Sequence, residues 1–270
     1  MQAEFSVLMS VYFREDPDYL DAALKSILLE QSLLPSQVVI VQDGELTEAL
    51  YEVLDSWEKN FSRIITRVQL PANVGLASAL NEGLGYCSYD IVARMDTDDI
   101  AIFNRFEKQF GFMIANKNIS VCSGIIEEWN QDFSKKLSER KLPLAHNEIL
   151  RFAKSRSPVS HPAVMFRKSD VLAVGGYPNI YPEDYPLWAS MLNHGFVFAN
   201  LPDVLLKMRV AAAIAERRGR DFLRGEIEVY NYMYKIGFIG RFELIRNISA
   251  RRVLRLSPLG LKRFFYKYIR

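Results

Sequence analysis

Apolar residues in the first hundred positions follow two alternating periods. Residues 5–12 form a short, nearly continuous apolar run, which is typical of a strand buried on both faces. Residues 16–31 instead place Leu and Ile three or four positions apart, with a proline near the start, which predicts a helix. The same alternation predicts strands within 37–44, 63–70 and 90–96 and helices within 47–60 and 75–87.

Strand–helix alternation with short connections predicts a doubly wound α/β fold, in which helices cover both faces of a parallel sheet. Ligands of such sheets bind beyond the carboxyl ends of the strands. After about residue 103 the alternation loosens. There we predict helices within 104–116, 184–195 and 213–237, strands within 120–129 and 161–168, and a polar loop over 130–143.

Composition places the chain among ordinary globular proteins, with 49% hydrophobic and 24% charged residues in 270. Cys87 and Cys122 are too few for a disulfide framework and are predicted to be buried thiols in a reducing compartment. The N-terminus lacks the pattern of a secretory signal, and no apolar run reaches the roughly 18 residues of a membrane span. We therefore expect a cytoplasmic protein.

Charge is distributed unevenly along the chain. Residues 240–270 hold nine Lys/Arg and one acid, a charge of +8, whereas the whole chain carries only +2 and the remainder therefore −6. Aromatic and leucine residues are interleaved with these basic residues, a composition that suits a lipid headgroup interface. The alternative is a solvated helix pair packed on the main domain.

Three carboxylates follow the fourth predicted strand, at Asp96, Asp98 and Asp99. Acids spaced in this way at a strand end can share a hard divalent cation, which relieves their mutual repulsion and can hold a nucleotide diphosphate. Arg94, on the same strand face as Asp96, is predicted to balance charge or to contact phosphate. The alternative is a solvated acidic turn in which Asp99 caps the next helix.

Asp43 ends another predicted strand at the same sheet edge, where a carboxylate can accept a hydrogen bond from a base N–H or a ribose hydroxyl. An Asp-Gly turn explains the same residues equally well. Asn73 and Gly75 lie in the loop before the next helix. No GxGxxG follows the first strand and no GxxxxGK[ST] occurs, which argues against dinucleotide and P-loop sites.

Glu183 and Asp184 are adjacent acids at a predicted helix start, surrounded by Tyr, Pro and Trp residues. Acids at this position are either caps that stabilise the helix dipole or, in an aromatic environment, candidates for a tuned general base. His161 precedes a predicted strand and, taken alone, is more often structural than a ligand.

Taken together and in this order, these segments resemble the family 2 glycosyltransferases, inverting enzymes of bacterial polysaccharide assembly that have the GT-A fold. The motifs are "FSVLMSVY", "VVIVQDG", "NVGLASALNEG", "ARMDTDDI", "SHPAVMFRK", "GGY" and "PEDYPLWASML". The resemblance covers roughly residues 4–210 and is nearest to transferases that build capsule, exopolysaccharide or O-antigen units. It implies a catalytic domain over 1–215, with a nucleotide-sugar half (1–102) and an acceptor half (103–215), and a helical basic extension over 216–270.

The resemblance also implies roles for the nucleotide-sugar half. Ser10 and Tyr12 would line the nucleotide pocket, Asp43 would bind the base, and the Asn73–Gly75 loop would lie along the nucleoside. Asp96 would face the ribose or donor sugar. Asp98 would hold the metal–diphosphate, with Asp99 as a second candidate ligand for Mg²⁺ or Mn²⁺.

In the acceptor half, the resemblance implies that Asp184, paired with Glu183, is the catalytic base. His161 would lie near the diphosphate or metal, and Trp188 beside the acceptor pocket. The donor would be a nucleotide sugar, with a UDP-sugar as the expected form. The acceptor would be a polyprenyl-diphosphate-linked saccharide at the inner face of the cell membrane, reached through residues 240–270. No nucleic acid is expected as a partner.

Two other functions fit the sequence less well. A sugar nucleotidylyltransferase needs a glycine-rich, basic phosphate loop after the first strand, and residues 10–18 do not form one. A protein that binds nucleic acid or another anionic surface would use the basic tail, but this function leaves the acidic clusters without a role.

Overall fold

A computed structural model describes residues 4–210 and 220–256 of the chain. Its strands are β1 (Phe5–Val11), β2 (Gln37–Gln42), β3 (Ile65–Gln69), β4 (Ile91–Arg94), β5 (Ile100–Ala101), β6 (Ile119–Trp129), β7 (Lys136–Arg140), β8 (Met165–Arg167) and β9 (Val197–Arg209). Its α-helices are α1 (Pro17–Leu28), α2 (Glu48–Phe61), α3 (Leu76–Tyr86), α4 (Arg105–Ala115), α5 (His146–Ala153), α6 (Lys168–Ala173), α7 (Asp184–Asn193), α8 (Arg220–Lys235) and α9 (Arg241–Leu256).

The strands form one sheet in the order β3-β2-β1-β4-β8-β6-β9-β5, with β7 paired to β6. The pairs β1–β2, β2–β3, β1–β4 and β6–β9 are parallel, whereas β8 runs antiparallel to both β4 and β6. The first half is therefore the predicted doubly wound unit, and the predicted α/β class with a mostly parallel sheet is confirmed.

The register of the first strands places their carboxyl ends side by side. Val11 of β1 pairs with Gln42 of β2, and Gln42 pairs with Gln69 of β3. β4 ends at Arg94, which pairs with Leu8 of β1. The loops that follow β1, β2, β3 and β4 consequently meet at one edge of the sheet, where ligands of this fold class bind.

Helices cover both faces of the sheet because successive strand side chains point to opposite sides. On one face, Val7 and Met9 of β1 pack into a core with residues of α1, α2 and α4. On the other face, Leu8 packs with residues of α3, α7 and α8. Gly83 allows α3 to lie close to this face, since a Cβ there would come within 2.5 Å of Leu8 Cδ1.

The C-terminal helices share the second core. Tyr230 and Met233 of α8 are buried in the same cluster as Trp188 and Met191 of α7. The predicted boundary between residues 215 and 216 lies outside the described residues, as does the part of the predicted basic extension from 257 to 270. The described part of that extension is helical, as predicted.

Several elements differ from the predictions. The predicted polar loop over 130–143 contains β7, which pairs antiparallel with β6. The predicted strand over 161–168 is a 3-10 turn, His161–Ala163, followed by the shorter β8. α5 and β9 were not predicted, and β9 mixes buried and exposed positions without a strict period of two. Cys87 and Cys122 are buried free thiols, as predicted.

Candidate active site

Three aspartates follow β4 at the carboxyl edge of the sheet. One carboxylate oxygen from each of Asp96, Asp98 and Asp99 lies within 4.8 Å of the others. Burial, and then the charge of Asp96, raise the pKa of Asp98 to about 6. Burial, and then the charges of Asp98 and Asp96, raise the pKa of Asp99 well above its ordinary range. The cluster is therefore costly to hold in its fully ionised form unless a cation joins it.

The donor set of this cluster fits a hard divalent cation. Asp99 Oδ1 accepts a hydrogen bond from the backbone N–H of Arg209 at 2.9 Å. Asp99 Oδ2 is buried and has no hydrogen-bond partner among the described residues. A buried oxygen without a partner is unfavourable, and carboxylate oxygens are the ligands that Mg²⁺ and similar cations take. Asp98 and Asp99, the predicted metal ligands, would hold the ion, with Asp96 beside them.

Arg94 lies beneath the cluster and is buried. Its Nη2 is 2.5 Å from Asp96 Oδ1, and its Nη1 donates to the carbonyl of Leu8 at 3.3 Å and to the carbonyl of Met95. The predicted charge balance at Asp96 matches this position. The predicted phosphate contact does not, because the guanidinium is buried and donates to the backbone carbonyls of Leu8 and Met95.

Two residues that the sequence analysis missed join the acidic cluster. Arg209, at the end of β9, donates from Nε to the carbonyl of Asp98 at 2.9 Å, and its guanidinium carbon lies 3.5 Å from the centre of the Tyr19 ring. Burial raises the pKa of Glu15, in the loop after β1, to about 7. A hydrogen bond with Thr97 opposes this rise, and the charge of Asp98 adds to it. The site thus includes a fourth carboxylate, Glu15, and a cationic side chain, Arg209.

Asp43 organises the neighbouring loop. Its two carboxylate oxygens accept hydrogen bonds from the backbone N–H groups of Val74 at 2.7 Å and Gly75 at 3.1 Å, and Asn73 Nδ2 donates to its carbonyl at 3.2 Å. Gly75 has φ 84°, a left-handed conformation that favours glycine. The predicted base-binding residue and the predicted nucleoside loop are therefore in direct contact.

The other two predicted nucleotide-pocket residues lie at the same edge. Ser10 is half-buried near the end of β1, beside Val41 of β2. Tyr12, the first residue after β1, is exposed, and its ring packs edge-to-face on Phe13 at 5.8 Å. An exposed aromatic ring at this sheet edge offers a surface on which a planar base can stack.

Glu183 directly precedes α7 and is largely buried. Burial, and then the charge of Asp184, raise its pKa to about 7, and the charge of Asp96 contributes to the rise. Its Oε1 lies 3.9 Å from Nδ1 of His161. Burial, and then the charge of Arg94, lower the pKa of His161 well below its ordinary range, so His161 is neutral and does not neutralise Glu183.

His161 is held in place by Tyr177, for which the sequence analysis predicts no role in the site. Its Nε2 lies 3.1 Å from the hydroxyl of Tyr177, and the two rings pack 5.5 Å apart. Asn81 of α3 fixes Tyr177 by accepting from its N–H and donating to its carbonyl, both at 2.8 Å. A Cβ at Gly176 would come within 2.4 Å of Asn81 Oδ1, so a glycine is required there.

Asp184 is the first residue of α7. The hydroxyl of Ser157 donates to its Oδ2 at 3.0 Å. Burial raises the pKa of Asp184, and the hydrogen bond from Ser157 and the charge of Arg140 oppose that rise. Trp188 is completely buried between the rings of Tyr177 and Phe198. The prediction that Trp188 lines an acceptor pocket is therefore wrong, because its side chain lies inside the core behind Asp184.

Residues 6–173 match the sequence profile of the family described as glycosyl transferase family 2. The chain belongs to this family. It is therefore a glycosyltransferase, as the motifs of its sequence predict.

Individual relatives extend the match over nearly the whole chain. A UDP-Gal:α-D-GlcNAc-diphosphoundecaprenol β-1,3-galactosyltransferase of Escherichia coli is 38% identical over 98% of this chain and 96% of its own. The amylovoran biosynthesis glycosyltransferase AmsE of Erwinia amylovora is 36% identical over 97% of this chain and 98% of its own.

Among solved structures, a mannosyltransferase from Pyrobaculum calidifontis in complex with GDP-Man and Mn²⁺ shares the fold. It has a TM-score of 0.66 and 18% identity, over 95% of this chain and 71% of that protein. The predicted family, the predicted GT-A fold and the predicted enzyme class are confirmed.

Proposed function

We propose that this family 2 enzyme transfers a hexose from a UDP-sugar to a hydroxyl group of a polyprenyl-diphosphate-linked saccharide, with inversion at the anomeric carbon. The observation that carries the proposal is the presence of two acidic groups near each other, since the charges of both Asp184 and Asp96 raise the pKa of Glu183. Asp96, Asp98 and Asp99 form a candidate cation site, and Asp184 is a half-buried carboxylate that Ser157 orients and whose pKa is raised. The name of the galactosyltransferase relative supplies the donor and acceptor classes.

The carboxylates in this arrangement have separate tasks. Asp184 accepts the proton of the acceptor hydroxyl while the hydroxyl oxygen forms a bond to the anomeric carbon. The bond between that carbon and the diphosphate oxygen breaks, and UDP leaves with the electron pair. A single displacement inverts the anomeric carbon and requires no covalent carboxylate intermediate.

The site residues prepare this displacement. Ser157 orients the Asp184 carboxylate, and burial raises its pKa toward the operating pH, which strengthens it as a base. Asp43 holds the Asn73–Gly75 loop along the nucleoside. A divalent cation bound by Asp98 and Asp99 would neutralise charge on the leaving diphosphate.

Membrane contact is part of the proposal. None of the helices within the described ranges is long and apolar enough to cross a membrane. On α9, Phe242 and Ile245 are exposed beside the exposed Arg241. Exposed apolar side chains with cationic neighbours suit a lipid headgroup surface. We propose a cytoplasmic enzyme held at the inner face of the membrane by residues 240–270, with no nucleic acid as partner.

A transfer assay tests the function. UDP-galactose and UDP-glucose are offered with Mn²⁺ and a synthetic N-acetylglucosamine α-diphosphate lipid, and the configuration of the new linkage is determined by proton NMR. We expect a β-linked product, and we expect Asp184→Asn to lower kcat by at least about a hundredfold. Asp170→Asn, on α6 and outside the site, is the matched control.

The outcomes separate the parts of the proposal. Failure of wild type to transfer either sugar would overturn the proposed substrates. Transfer by wild type with undiminished activity of Asp184→Asn would overturn the assignment of the base. An α-linked product would overturn the single displacement.

A further inference from the structure

One cavity beside the C-terminal helices is not used by the mechanism above. It has a volume of about 600 Å³ and lies between α9, α8 and the segment that follows α5. This volume is within the ordinary range of ligand pockets. Its lining includes the apolar side chains of Ala250 and Leu254 and the guanidinium groups of Arg156, Arg246 and Arg251.

Three arginines line the cavity, and the acids beside it in the described part of the chain, Glu226 and Glu243, have cationic partners. Glu226 lies 3.3 Å from Nε of Arg251 but is paired more closely with Arg255, at 2.8 and 2.9 Å. Glu243, whose charge interacts with Arg246, forms an ion pair with Lys154 at 3.1 Å.

Arg246 is the arginine best placed to bind a ligand. It is exposed, and its guanidinium donates to the neutral amide oxygen of Asn247 at 3.2 and 3.3 Å. A guanidinium can form two parallel hydrogen bonds with a phosphate. The combination of arginines and an apolar wall therefore suits an anion attached to a hydrocarbon chain.

The cavity adjoins Asp184 through two connections. Ser155 lines the cavity, and Ser157, two residues later, donates to Asp184 Oδ2 at 3.0 Å. Tyr230, another wall residue, packs edge-to-face on the ring of Tyr185, at a centroid distance of 6.1 Å. Tyr185 directly follows Asp184. The cavity wall and the catalytic base are therefore joined by two short connections.

We propose that this cavity binds the diphosphate and first isoprene units of the lipid-linked acceptor. This inference rests on the proposed function, because it assigns a place to the acceptor of that reaction. The acceptor sugar carries its reactive hydroxyl and its diphosphate on different carbons of one ring. With the hydroxyl at Asp184, the diphosphate meets Arg246, and the lipid follows the apolar side of α9 toward its exposed face. Arg251 donates to the Tyr230 hydroxyl and to the carbonyl of Ser155, so it contributes charge beside the site.

Direct binding of farnesyl diphosphate tests the site without requiring catalysis. The titration is done by calorimetry on the full-length protein in EDTA, so that no cation can recruit the diphosphate to the acidic cluster. Arg246→Ala is the informative variant because the side chain is exposed and its removal leaves the core intact. Arg252→Ala, an exposed arginine of the same helix that does not line the cavity, is the matched control.

We expect Arg246→Ala to weaken farnesyl diphosphate binding about tenfold, as for loss of one charge-assisted contact, and Arg252→Ala to leave it within about twofold. Farnesol should bind much more weakly than farnesyl diphosphate. In the transfer assay, Arg246→Ala should raise KM for the lipid acceptor and leave KM for the UDP-sugar unchanged.

Three results would overturn the inference: unchanged binding by Arg246→Ala, an equal loss in Arg252→Ala, or equal binding of farnesol. An equal loss in the two variants would indicate general attraction to a basic helix. If wild type binds farnesyl diphosphate as expected but transfers no sugar, the proposed function fails while the lipid-diphosphate site stands. If wild type transfers sugar but the Arg246→Ala binding is unchanged, only the site fails.

Discussion

Replacing Glu183 by Gln should stabilise the protein at neutral and alkaline pH. Glu183 is nearly enclosed, with a side-chain exposure of 13%, and its nearest ring nitrogen belongs to a neutral histidine. Its pKa is raised from 4.5 to about 7, chiefly by burial and by the charge of Asp184. The folded state therefore holds a proton that the unfolded chain releases, and the free energy of unfolding falls as the pH rises from about 4.5 to about 7.

The size of this effect follows from the two pKa values. A difference of one between the pKa of the folded and the unfolded state corresponds to about 1.36 kcal/mol. Between about pH 5 and about pH 8, the ionisation of Glu183 should therefore remove about 2.5 kcal/mol of stability. Glu183→Gln lacks this ionisation. The free energy of unfolding of Glu183→Gln, minus that of wild type, should therefore rise by about 2.5 kcal/mol between about pH 5 and about pH 8.

Urea denaturation followed by tryptophan fluorescence measures the difference at each pH. Glu228→Gln, an exposed substitution on α8, is the control and should show no such trend. A difference between Glu183→Gln and wild type that stays constant with pH would refute the reasoning. Because Asp184 is assigned as the base, Glu183→Gln should also retain far more transfer activity than Asp184→Asn.

Other contacts give three more predictions. Ser157→Ala removes a hydrogen bond that lowers the pKa of Asp184. The acid limb of the profile of kcat against pH should therefore move to higher pH. An unmoved limb would argue against Asp184 as the base. Affinity for Mn²⁺ should rise from about pH 5 to about pH 7, because Asp98, with a pKa of about 6, must lose its proton to bind metal. An affinity that calorimetry shows to be independent of pH would contradict this. Gly225→Ala should destabilise the protein by about 1–3 kcal/mol in thermal or urea unfolding. The reason is that a Cβ there would come within 2.2 Å of the Tyr181 carbonyl oxygen. Unaltered stability would show that α8 can shift away.

The first half of the sheet is predictable because its signals are local. β1 and β2 are buried on every or nearly every residue and appear as continuous apolar runs, and the polar residues directly after them fall at one sheet edge. Asp43 and the Asp96–Asp99 cluster can be located for this reason. The contacts of Asp43 with Val74 and Gly75 cannot, because they join residues about thirty positions apart.

The second half depends on contacts between distant residues. β9 pairs with β6 and β5, and its end delivers Arg209 to the carbonyl of Asp98, more than a hundred positions earlier. No local pattern predicts such a contact. Glu15 could have been noticed as an acid in the loop after β1, where the fold class binds ligands. Trp188 was misplaced because a tryptophan next to acids has the same local sequence whether it lines a pocket or supports one from the core.

The proposed mechanism depends above all on the aspartates after β4, which would hold a divalent cation on a nucleoside diphosphate. Calorimetric titration of UDP into wild type and into Asp98→Ala, with Mn²⁺ and with EDTA, tests this role. We expect UDP to bind wild type with Mn²⁺, EDTA to weaken this binding strongly, and Asp98→Ala to abolish the dependence on metal. Equal binding of UDP with and without metal, or an unchanged metal dependence in Asp98→Ala, would contradict it.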